Sequence, residues 1–367
     1  MPSLYLHLPF CERKCFYCSF AVAISQEHRI DEYLSALDRE ASLYQGSAIE
    51  TIYFGGGTPT LLTESQLKRL FEIVNRHFHL QSAGEITIEA NPENMDLEKA
   101  KLLFDLGVTR VSLGVQTFND FFLKYLGRAH DSIKALTAFN DLRRAGFENI
   151  NVDLMYSFPD QTPQQIREDV QIVLGLGSEH VSLYTLTVEE NSRFFVQKIK
   201  EQDNQAQGEQ YDLVATLLND AGMRQYEVSN FSRLDFESRH NINYWTGGNY
   251  FGLGLSSHSH QDGRRAWNVG RLPEYLKRMA ANENPEEGNE ILTPEKRLTE
   301  TLVFGLRMNA GIDIAALQKR FSLALTDETK AKIDDLVKND FLIFEDTQLK
   351  TTTRGRRVLD EISVTLI

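Results

Sequence analysis

All three cysteines of the 367-residue chain lie in one eight-residue stretch near its start, CERKCFYC. They are Cys11, Cys15 and Cys18, and spacings of four and three residues let their sulfurs share one tight loop. Thiolates bind soft metals, and the usual occupants of such loops are zinc and iron–sulfur clusters. Three clustered thiols cannot pair off into a disulfide framework. The stretch therefore predicts a metal centre.

Two kinds of metal centre fit three clustered thiolates. A structural zinc ion needs four protein ligands, and His7 could supply the fourth. A 4Fe–4S cluster on three cysteines would instead leave one iron without a protein ligand, and an open position is typical of a metal that binds a substrate. The spacing alone leaves both interpretations open.

Other polar or glycine-rich groups follow apolar segments along the chain. The glycines of GGGTPT (55–60) let backbone groups approach a ligand closely. Glu89 could accept hydrogen bonds, Arg128 could neutralise a carboxylate through its planar fork, and Asp153 could bind a hydroxyl group. Gln116, Arg128 and Asp153 could equally be helix caps or members of ion pairs.

Six apolar segments alternate with amphipathic helical patterns and predict parallel strands that are buried on both faces. The predicted strands cover 3–8, 51–56, 85–90, 110–115, 149–156 and 180–186. The predicted helices cover 30–45, 64–78, 96–106, 131–145, 163–176 and 207–221. Because polar motifs follow nearly every strand, the pattern favours an α/β fold built on a partial (β/α)6 TIM-like barrel over a doubly wound sheet.

The pattern changes near residue 226. We predict one further strand over 226–232, an aromatic and histidine-rich segment without helical period over 237–260, and a linker over 285–290. The remaining residues predict a small α+β domain that resembles a winged helix. Its helices are expected near 295–307, 313–320, 327–338 and from 354, with strands over 341–346 and 348–352. The predicted domains are a barrel over 1–225, the extra segment over 226–290 and the winged-helix-like domain over 291–367.

Composition narrows the class of partner and compartment. The net charge is −13, which argues against a broad nucleic-acid interface because phosphate binding requires clustered Lys and Arg. The sequence contains no run of 18 apolar residues, so no transmembrane helix is predicted. Residues 1–10 lack the features of a signal peptide. We therefore expect a cytoplasmic protein.

The CxxxCxxC spacing resembles the signature of radical S-adenosylmethionine (SAM) proteins, in which SAM chelates the fourth iron of a 4Fe–4S cluster. Six motifs are similar, in order, to those of the oxygen-independent coproporphyrinogen oxidase family. They are LYLHLPFCERKCFYCSF, YFGGGTPT, TIEANPE, RVSLGVQTF, LGRAH and VDLMYSFPDQT. The resemblance covers nearly the whole chain and includes FGLRMNAGID near the C-terminal end.

The resemblance implies a set of cofactor-binding residues. The cluster would be held by the three cysteines and by exchangeable SAM. The positions that match SAM-binding residues of the family are Tyr5, Tyr17, Gly56, Gly57, Thr58, Glu89, Gln116, Arg128 and Asp153.

Members of this family divide into two functional groups. One is a dehydrogenase that converts coproporphyrinogen III to protoporphyrinogen IX, and the other is a heme chaperone that binds heme and passes it to acceptor proteins. The dehydrogenases have a fourth cysteine where this chain has Phe20, and they carry an N-terminal extension before the first strand. The sequence therefore resembles the chaperone group, and dehydrogenase activity is not expected.

The segment HNINYW matches the HNxxYW motif of the chaperone group and implies heme binding by four of its residues, His240, Asn241, Tyr244 and Trp245. Neutral imidazole is a common axial ligand of heme iron, and His258 and His260 are rival ligands. The resemblance also implies an electron donor, acceptors that include membrane-bound respiratory enzymes, and a monomer or homodimer. Whether SAM is cleaved stays open at this stage.

Overall fold

The computed structural model describes all 367 residues. Its strands are β1 (Ser3–Leu8), β2 (Phe10–Cys11), β3 (Ala23–Ile24), β4 (Ser47–Gly56), β5 (Phe78–Ala90), β6 (Arg110–Gln116), β7 (Ile150–Tyr156), β8 (His180–Thr185), β9 (Arg224–Glu227), β10 (Asn230–Ser232), β11 (Tyr250–Leu253), β12 (His258–Gln261), β13 (Arg264–Asn268), β14 (Glu286–Ile291), β15 (Ile312–Asp313), β16 (Leu342–Glu345) and β17 (Gln348–Thr351).

The helices alternate with the strands in the first part of the chain. They are α1 (Ile30–Ser42), α2 (Glu64–His77), α3 (Leu97–Asp105), α4 (Asp120–Leu126), α5 (Ser132–Ala145), α6 (Pro163–Leu176), α7 (Arg193–Val196), α8 (Asn204–Asp220), α9 (Arg239–Trp245), α10 (Leu272–Ala280), α11 (Pro294–Gly305), α12 (Ile314–Phe321), α13 (Asp327–Lys338), α14 (Thr353–Arg356) and α15 (Leu359–Leu366). No helix is both long and apolar enough to cross a membrane.

Six parallel strands form the centre of one large sheet, in the order β1-β4-β5-β6-β7-β8. Every residue of β6 is buried, as expected for a parallel strand covered on both faces. The helices α1, α2, α3, α5, α6 and α8 connect or follow these strands. The predicted fold class is confirmed, and the six predicted strands and helices are present. Most ends agree to within three residues, but β4 and β5 begin at Ser47 and Phe78, earlier than the predicted 51 and 85.

The sheet continues beyond both ends of the parallel part and is open rather than closed. Before β1 come β14, β13, β12 and β11, and after β8 come β10 and β9. The single strand predicted over 226–232 is wrong, because this segment forms the antiparallel hairpin β9–β10 with a register irregularity. The linker predicted over 285–290 is also wrong. Its charged residues belong to the edge strand β14. All residues of this strand are exposed or half-buried, so the strand contains no run of apolar residues that would predict it from the sequence.

The segment over 237–260, predicted without helical structure, begins with the helix α9. Ser238 caps this helix, since its side-chain oxygen accepts a hydrogen bond from the backbone N–H of Asn241 at 3.3 Å. Seven residues make two turns, which is too short for a helical period to be visible in the sequence. The HNINYW motif therefore lies on a capped helix.

The C-terminal part has a hydrophobic core of its own, formed by 13 buried residues between Leu298 and Leu366. The predicted helices are present as α11, α12, α13 and the pair α14–α15. The two predicted strands, β16 and β17, pair with a third, β15, which the sequence did not indicate. The predicted boundaries near 225 and 290 stay predictions, although 290 falls inside β14.

Candidate functional site

The three cysteines lie in one loop at the C-terminal end of β1. Cys11 ends β2, and the backbone N–H of Cys18 donates to the carbonyl of Cys15 at 3.2 Å, which closes a turn between them. All three thiols are half-buried and free. Burial raises the pKa of Cys11 to about 11 and raises the pKa of Cys18 as well. Without a bound cation these two thiols are therefore protonated at neutral pH, so metal binding must displace their protons.

The zinc alternative depends on His7, and the structure argues against it. The Nε2–H of His7 donates to the carbonyl of Ala21 at 2.9 Å, and its Nδ1 accepts from the hydroxyl of Tyr5 at 3.0 Å. Both ring nitrogens are thus engaged, so zinc binding by His7 would require one of these hydrogen bonds to break. The donor set fits a cluster held by thiolates better than a Cys3His zinc ion.

A chain of side-chain hydrogen bonds links two of the cysteine sulfurs. The hydroxyl of Thr58 donates to Cys11 Sγ at 3.5 Å and accepts from the amide of Asn91 at 3.0 Å. Asn91 Oδ1 accepts from Arg128 Nη2 at 2.7 Å, and Arg128 Nη1 donates to Cys15 Sγ at 3.4 Å. Hydrogen bonds and a positive charge at the sulfurs stabilise the thiolates of an iron–sulfur site. Asn91 belongs to the EANPE motif but was not singled out from the sequence.

The glycine-rich turn after β4 packs directly on the cysteine loop. Gly56 has a φ of +110°, and a Cβ there would lie 2.5 Å from the His7 ring. A Cβ on Gly57 would lie 2.7 Å from the Phe10 carbonyl oxygen. The backbone N–H groups of Gly57 and Thr58 donate to the carbonyls of Leu8 and Phe10, both at 2.8 Å. These glycines are therefore required first for packing against the loop, whereas the sequence suggested an approach to a ligand.

Glu89 lies at the end of β5 beside this turn. Its two carboxylate oxygens accept hydrogen bonds from the Tyr53 hydroxyl at 2.9 Å and from the backbone N–H of Gly56 at 3.0 Å. Burial raises the pKa of Glu89 to about 7. A carboxyl group with such a pKa is poised to become charged when a cation approaches.

The other predicted SAM-binding residues occupy different depths of the sheet. Gln116 ends β6 at a register irregularity with a φ of +71°, a strained conformation that clusters at functional sites. Tyr17 is half-buried beside Arg128, whose Nε atom is buried without a hydrogen-bond partner. Asp153 lies deeper, within β7, and accepts from Ser112 and from the amide of Asn151.

The structure thus brings the predicted SAM-binding residues to one end of the parallel strands, beside the cysteine loop. Thr58, Glu89 and Arg128 surround the cysteine loop, and the unpartnered Arg128 Nε leaves a donor for an anionic ligand such as a carboxylate. Tyr5 and Asp153 lie in the middle of their strands and close to Glu89. The Tyr5 ring stacks on Tyr53, whose hydroxyl bonds to Glu89, and after burial the Asp153 charge also raises the pKa of Glu89. The rim residues fit a site for a cluster and SAM.

The HNINYW motif lies at the opposite end of the sheet. The His240 side chain is 1% exposed, with Nδ1 bonded to the Thr51 hydroxyl at 2.8 Å and Nε2 to the Tyr244 hydroxyl at 2.9 Å. Thr51 pairs with Ser3, at the start of β1, so α9 covers the N-terminal ends of the strands. Leu8, at the cysteine end, is five residues further along β1, which corresponds to about 17 Å.

His240 is held as an internal structural residue in this conformation. Burial lowers its pKa to about 3, so the ring is neutral. Ligation of heme iron by His240 would require one of its two hydrogen bonds to break. Of the other motif residues, Asn241 is half-buried in the first turn of α9, and Trp245 lies under the Arg307 guanidinium at 4.3 Å. Heme binding by these four residues stays a prediction.

A second group of aromatic and basic residues lies beside α9, between the sheet extension and α11. It lines a cavity of about 280 Å³ that includes Tyr244, Tyr250, His258, His260, Arg265, Arg297, Glu300, Phe304 and Phe321. His258 and His260, the rival heme ligands predicted from the sequence, are two residues apart on β12 and therefore face the same side of the sheet. The sequence did not indicate that α11 and α12 complete this cavity.

Comparison with known proteins agrees with the fold. Residues 5–173 match the radical SAM superfamily, and residues 292–358 match the HemN C-terminal domain. The structure superposes on coproporphyrinogen III oxidase (HemN) from Escherichia coli with a TM-score of 0.88, over 100% of this chain and 90% of that one. Sequence identity to that enzyme is 24%, so this likeness shows the fold alone.

Three full-length relatives are more similar in sequence. The chain is 36% identical to the heme chaperone HemW of Bacillus subtilis, over 99% of this chain and 98% of the relative. It is 35% identical to HemW of Lactococcus lactis, over 96% and 94%, and 32% identical to HemW of Mycobacterium tuberculosis, over 99% and 94%.

The three-cysteine loop, the polar rim and the parallel sheet define a radical SAM protein of the coproporphyrinogen oxidase type, a class whose members hold a 4Fe–4S cluster and SAM. Within that class the dehydrogenase and chaperone groups share the fold, and full-length sequence similarity separates them. The chain belongs to the HemW family of heme chaperones.

Proposed function

We propose that this chain is a radical SAM-type heme chaperone, which binds heme as cargo and passes it to acceptor proteins, including membrane-bound respiratory enzymes. The observation that carries the proposal is the full-length similarity to proteins named heme chaperone HemW, at 36% identity over 99% of the chain. Phe20 supports it, because this residue stands where the dehydrogenase group has a fourth cysteine and its side chain is 66% exposed.

The cluster would be held by Cys11, Cys15 and Cys18, with SAM at the remaining iron and an external electron donor. When bound, the cluster supplies one electron for reductive cleavage of the SAM sulfonium. The protein's own contribution is to hold and screen the thiolates. Thr58 and Arg128 donate hydrogen bonds to two sulfurs, and the Arg128 charge favours their deprotonated form.

SAM would occupy the rim between the glycine-rich turn and Arg128. We propose that the half-buried Glu89 carboxylate attracts the positively charged groups of SAM and that Arg128 Nε binds the SAM carboxylate. Gly56 and Gly57 form the turn whose Gly56 N–H holds the Glu89 carboxylate in place, and Gln116 and Tyr17 complete the walls. Tyr5 and Asp153 act from inside the barrel, where Asp153 is already bonded to Ser112 and Asn151.

The proposal is tested by loading the anaerobically reconstituted protein with heme and mixing it with a heme-free acceptor. Transfer is expected to move the Soret absorbance from the chaperone to the acceptor, with recovery of acceptor activity. The same preparation is incubated with coproporphyrinogen III, SAM and a reductant. Sustained formation of protoporphyrinogen IX without heme transfer would identify the chain as a dehydrogenase and overturn the proposal.

A further inference from the structure

The cavity beside α9 contains the three kinds of group that a heme requires. These are a neutral imidazole for the iron, aromatic walls for the macrocycle and a free cation for a propionate. The cavity is formed by one face of β11–β13 and by α11, with Phe321 of α12 at its edge. It lies at the N-terminal end of the strands, since Tyr250 pairs with both Ser3 and His260.

His260 has the hydrogen-bonding arrangement of a metal-binding histidine. Its Nδ1 is 3.3 Å from the carbonyl of Gly248, and an oxygen acceptor there requires the proton on Nδ1. The lone pair is therefore on Nε2, which is buried and has no hydrogen-bond partner. Metal-binding histidines usually donate their second ring N–H to a carbonyl or carboxylate in this way. Burial lowers the pKa of His260, which keeps the ring neutral.

The basic groups of the cavity are unequally paired. Arg265 forms an ion pair with Glu300. Arg297 forms no ion pair, and its guanidinium lies 5.4 Å from the centre of the Phe321 ring. Burial and the nearby Arg297 charge lower the pKa of Arg320 on the next helix, which is the effect of a positive charge without a local counterion. Because Arg297 has no partner in the protein, its guanidinium is available to an anionic group of a ligand in the cavity.

Aromatic rings line the cavity on both sides. Tyr244 and Tyr250 meet edge to face with centroids 4.7 Å apart, and Phe304 and Phe321 face them from α11 and α12. The hydroxyl of Tyr244 bonds to His240, while its ring lines the cavity. The HNINYW motif thus reaches this cavity through Tyr244, whereas His240 faces the barrel.

We propose that this cavity binds the part of the heme that includes the iron and one propionate, with His260 Nε2 as the iron ligand and Arg297 as the partner of that propionate. The inference rests on the proposed function and names the site of its cargo. With about 280 Å³, the cavity is smaller than pockets that enclose a whole ligand of drug size, about 300–1,000 Å³. Part of the macrocycle would stay exposed, which suits a ligand that must be handed on.

The ligand assignment is tested by anaerobic heme titration followed at the Soret band. We expect His260→Ala to weaken binding about tenfold or more and to shift the Soret maximum, since an axial bond is lost. The surface control His79→Ala should keep the wild-type spectrum and affinity. A wild-type spectrum and affinity for His260→Ala, or a shift confined to His240→Ala or His258→Ala, would overturn the assignment.

A structural role of His260 is separated from ligation by chemical rescue. In His260→Gly, added imidazole should restore the wild-type Soret maximum, because a free imidazole can occupy the space of the missing ring. Imidazole should leave the spectrum of His79→Gly unchanged. If His260→Gly folds with a wild-type circular dichroism spectrum and imidazole restores nothing, His260 is not the ligand.

The propionate contact is tested with heme and heme dimethyl ester, in which both carboxylates are blocked. Arg297→Ala should weaken heme binding about tenfold, the scale of one charge-assisted hydrogen bond, and leave binding of the ester unchanged. The surface control Arg167→Ala should affect neither ligand. Equal losses for heme and its ester would exclude Arg297 as the propionate partner.

The experiments distinguish a wrong heme site from a wrong proposed function. If the wild-type protein binds no heme, the chaperone proposal itself falls. If it binds and transfers heme while His260→Ala and Arg297→Ala behave as wild type, the chaperone proposal stands and the heme lies elsewhere.

Discussion

At the scale of single residues, the glycine-rich turn can pack against the cysteine loop because Gly56 has no side chain. Gly56 combines a φ of +110° with a close approach to His7. Gly107 offers a matched control, because it has a φ of +88° with nothing within 4 Å of its missing Cβ.

We predict that Gly56→Ala destabilises the protein by about 1–3 kcal/mol more than Gly107→Ala. Both variants place a side chain on a left-handed backbone, but only the first forces it against His7. Denaturant unfolding of the metal-free proteins measures the difference, and iron content after reconstitution should fall only in Gly56→Ala. Equal effects of the two substitutions would show that the His7 contact is unimportant.

Glu89 predicts a pH dependence of SAM binding. Its pKa of about 7, raised by burial, means that the carboxyl group is neutral below this pH and ionises as the pH rises through it. Only the ionised form attracts the positively charged SAM sulfonium. Affinity should therefore rise about tenfold between pH 6 and pH 8 and then level off. Equilibrium binding of SAM to the reconstituted protein measures this.

The matched control is Glu40, whose pKa burial also raises to about 7 but which contacts Tyr275, Asn268 and Gly254 instead of the rim. Glu40→Gln should keep the pH dependence and Glu89→Gln should remove it. A wild-type affinity that does not change with pH would remove Glu89 from the SAM site.

At the scale of elements, an ion pair joins the end of α11 to the hairpin β9–β10. Arg307 donates to the buried Glu227 carboxylate at 3.2 Å and covers the Trp245 ring of α9. Burial raises the pKa of Glu227 even with this partner present. Removal of the arginine would leave a charge without its counterion inside the protein.

We predict that Arg307→Met lowers the free energy of unfolding by about 3 kcal/mol, because one partner of a buried pair is lost. Adding Glu227→Gln should recover part of this loss, since no buried charge remains. The exposed pair Lys330–Asp327 provides the comparison, and Lys330→Met should cost less than about 1 kcal/mol. If Arg307→Met is no worse than Lys330→Met, the ion pair does not stabilise the junction.

Sequence patterns predict elements well where the period is long and strongly expressed. The alternation of the six parallel strands and their helices up to α8 follows from buried apolar runs. Most of their ends agree with the structure to within a few residues, although β5 begins at residue 78, seven residues before the predicted 85, and the short helices α4 and α7 were not predicted. The helix α9 and the edge strand β14 were missed, the first because it is short and the second because its residues are charged and half-exposed. Their structure depends on tertiary pairing that a local pattern does not contain.

The candidate site was predicted unevenly for a related reason. Cysteine spacing and strand-end motifs identified the rim, because parallel strands bring their ends to one edge. The role of Asn91 could not be inferred, since it depends on Thr58 and Arg128 meeting across three strands. The position of His240 at the N-terminal end of the strands could not be predicted from the sequence either, because the pairing of β11 with β1 is seen only in the folded sheet.

At the scale of the whole molecule, the cysteine loop and the proposed heme cavity lie at opposite ends of the central strands. One end carries the thiols, Glu89 and Arg128, and the other carries α9, β12 and α11. The length of β1 alone separates the two ends by about 17 Å. A heme in the cavity would therefore lie apart from the cluster and SAM, as expected for cargo that is carried and not converted.

The most direct test of this arrangement is the heme stoichiometry of a protein that cannot hold the cluster. Wild type and the variant Cys11→Ser/Cys15→Ser/Cys18→Ser are titrated anaerobically with heme, and non-heme iron is measured in the same samples. We predict that the variant loses its non-heme iron but binds one heme per chain with the wild-type Soret spectrum. Loss of heme binding together with the cluster, or no heme binding by either protein, would contradict a chaperone with separate sites for cofactor and cargo.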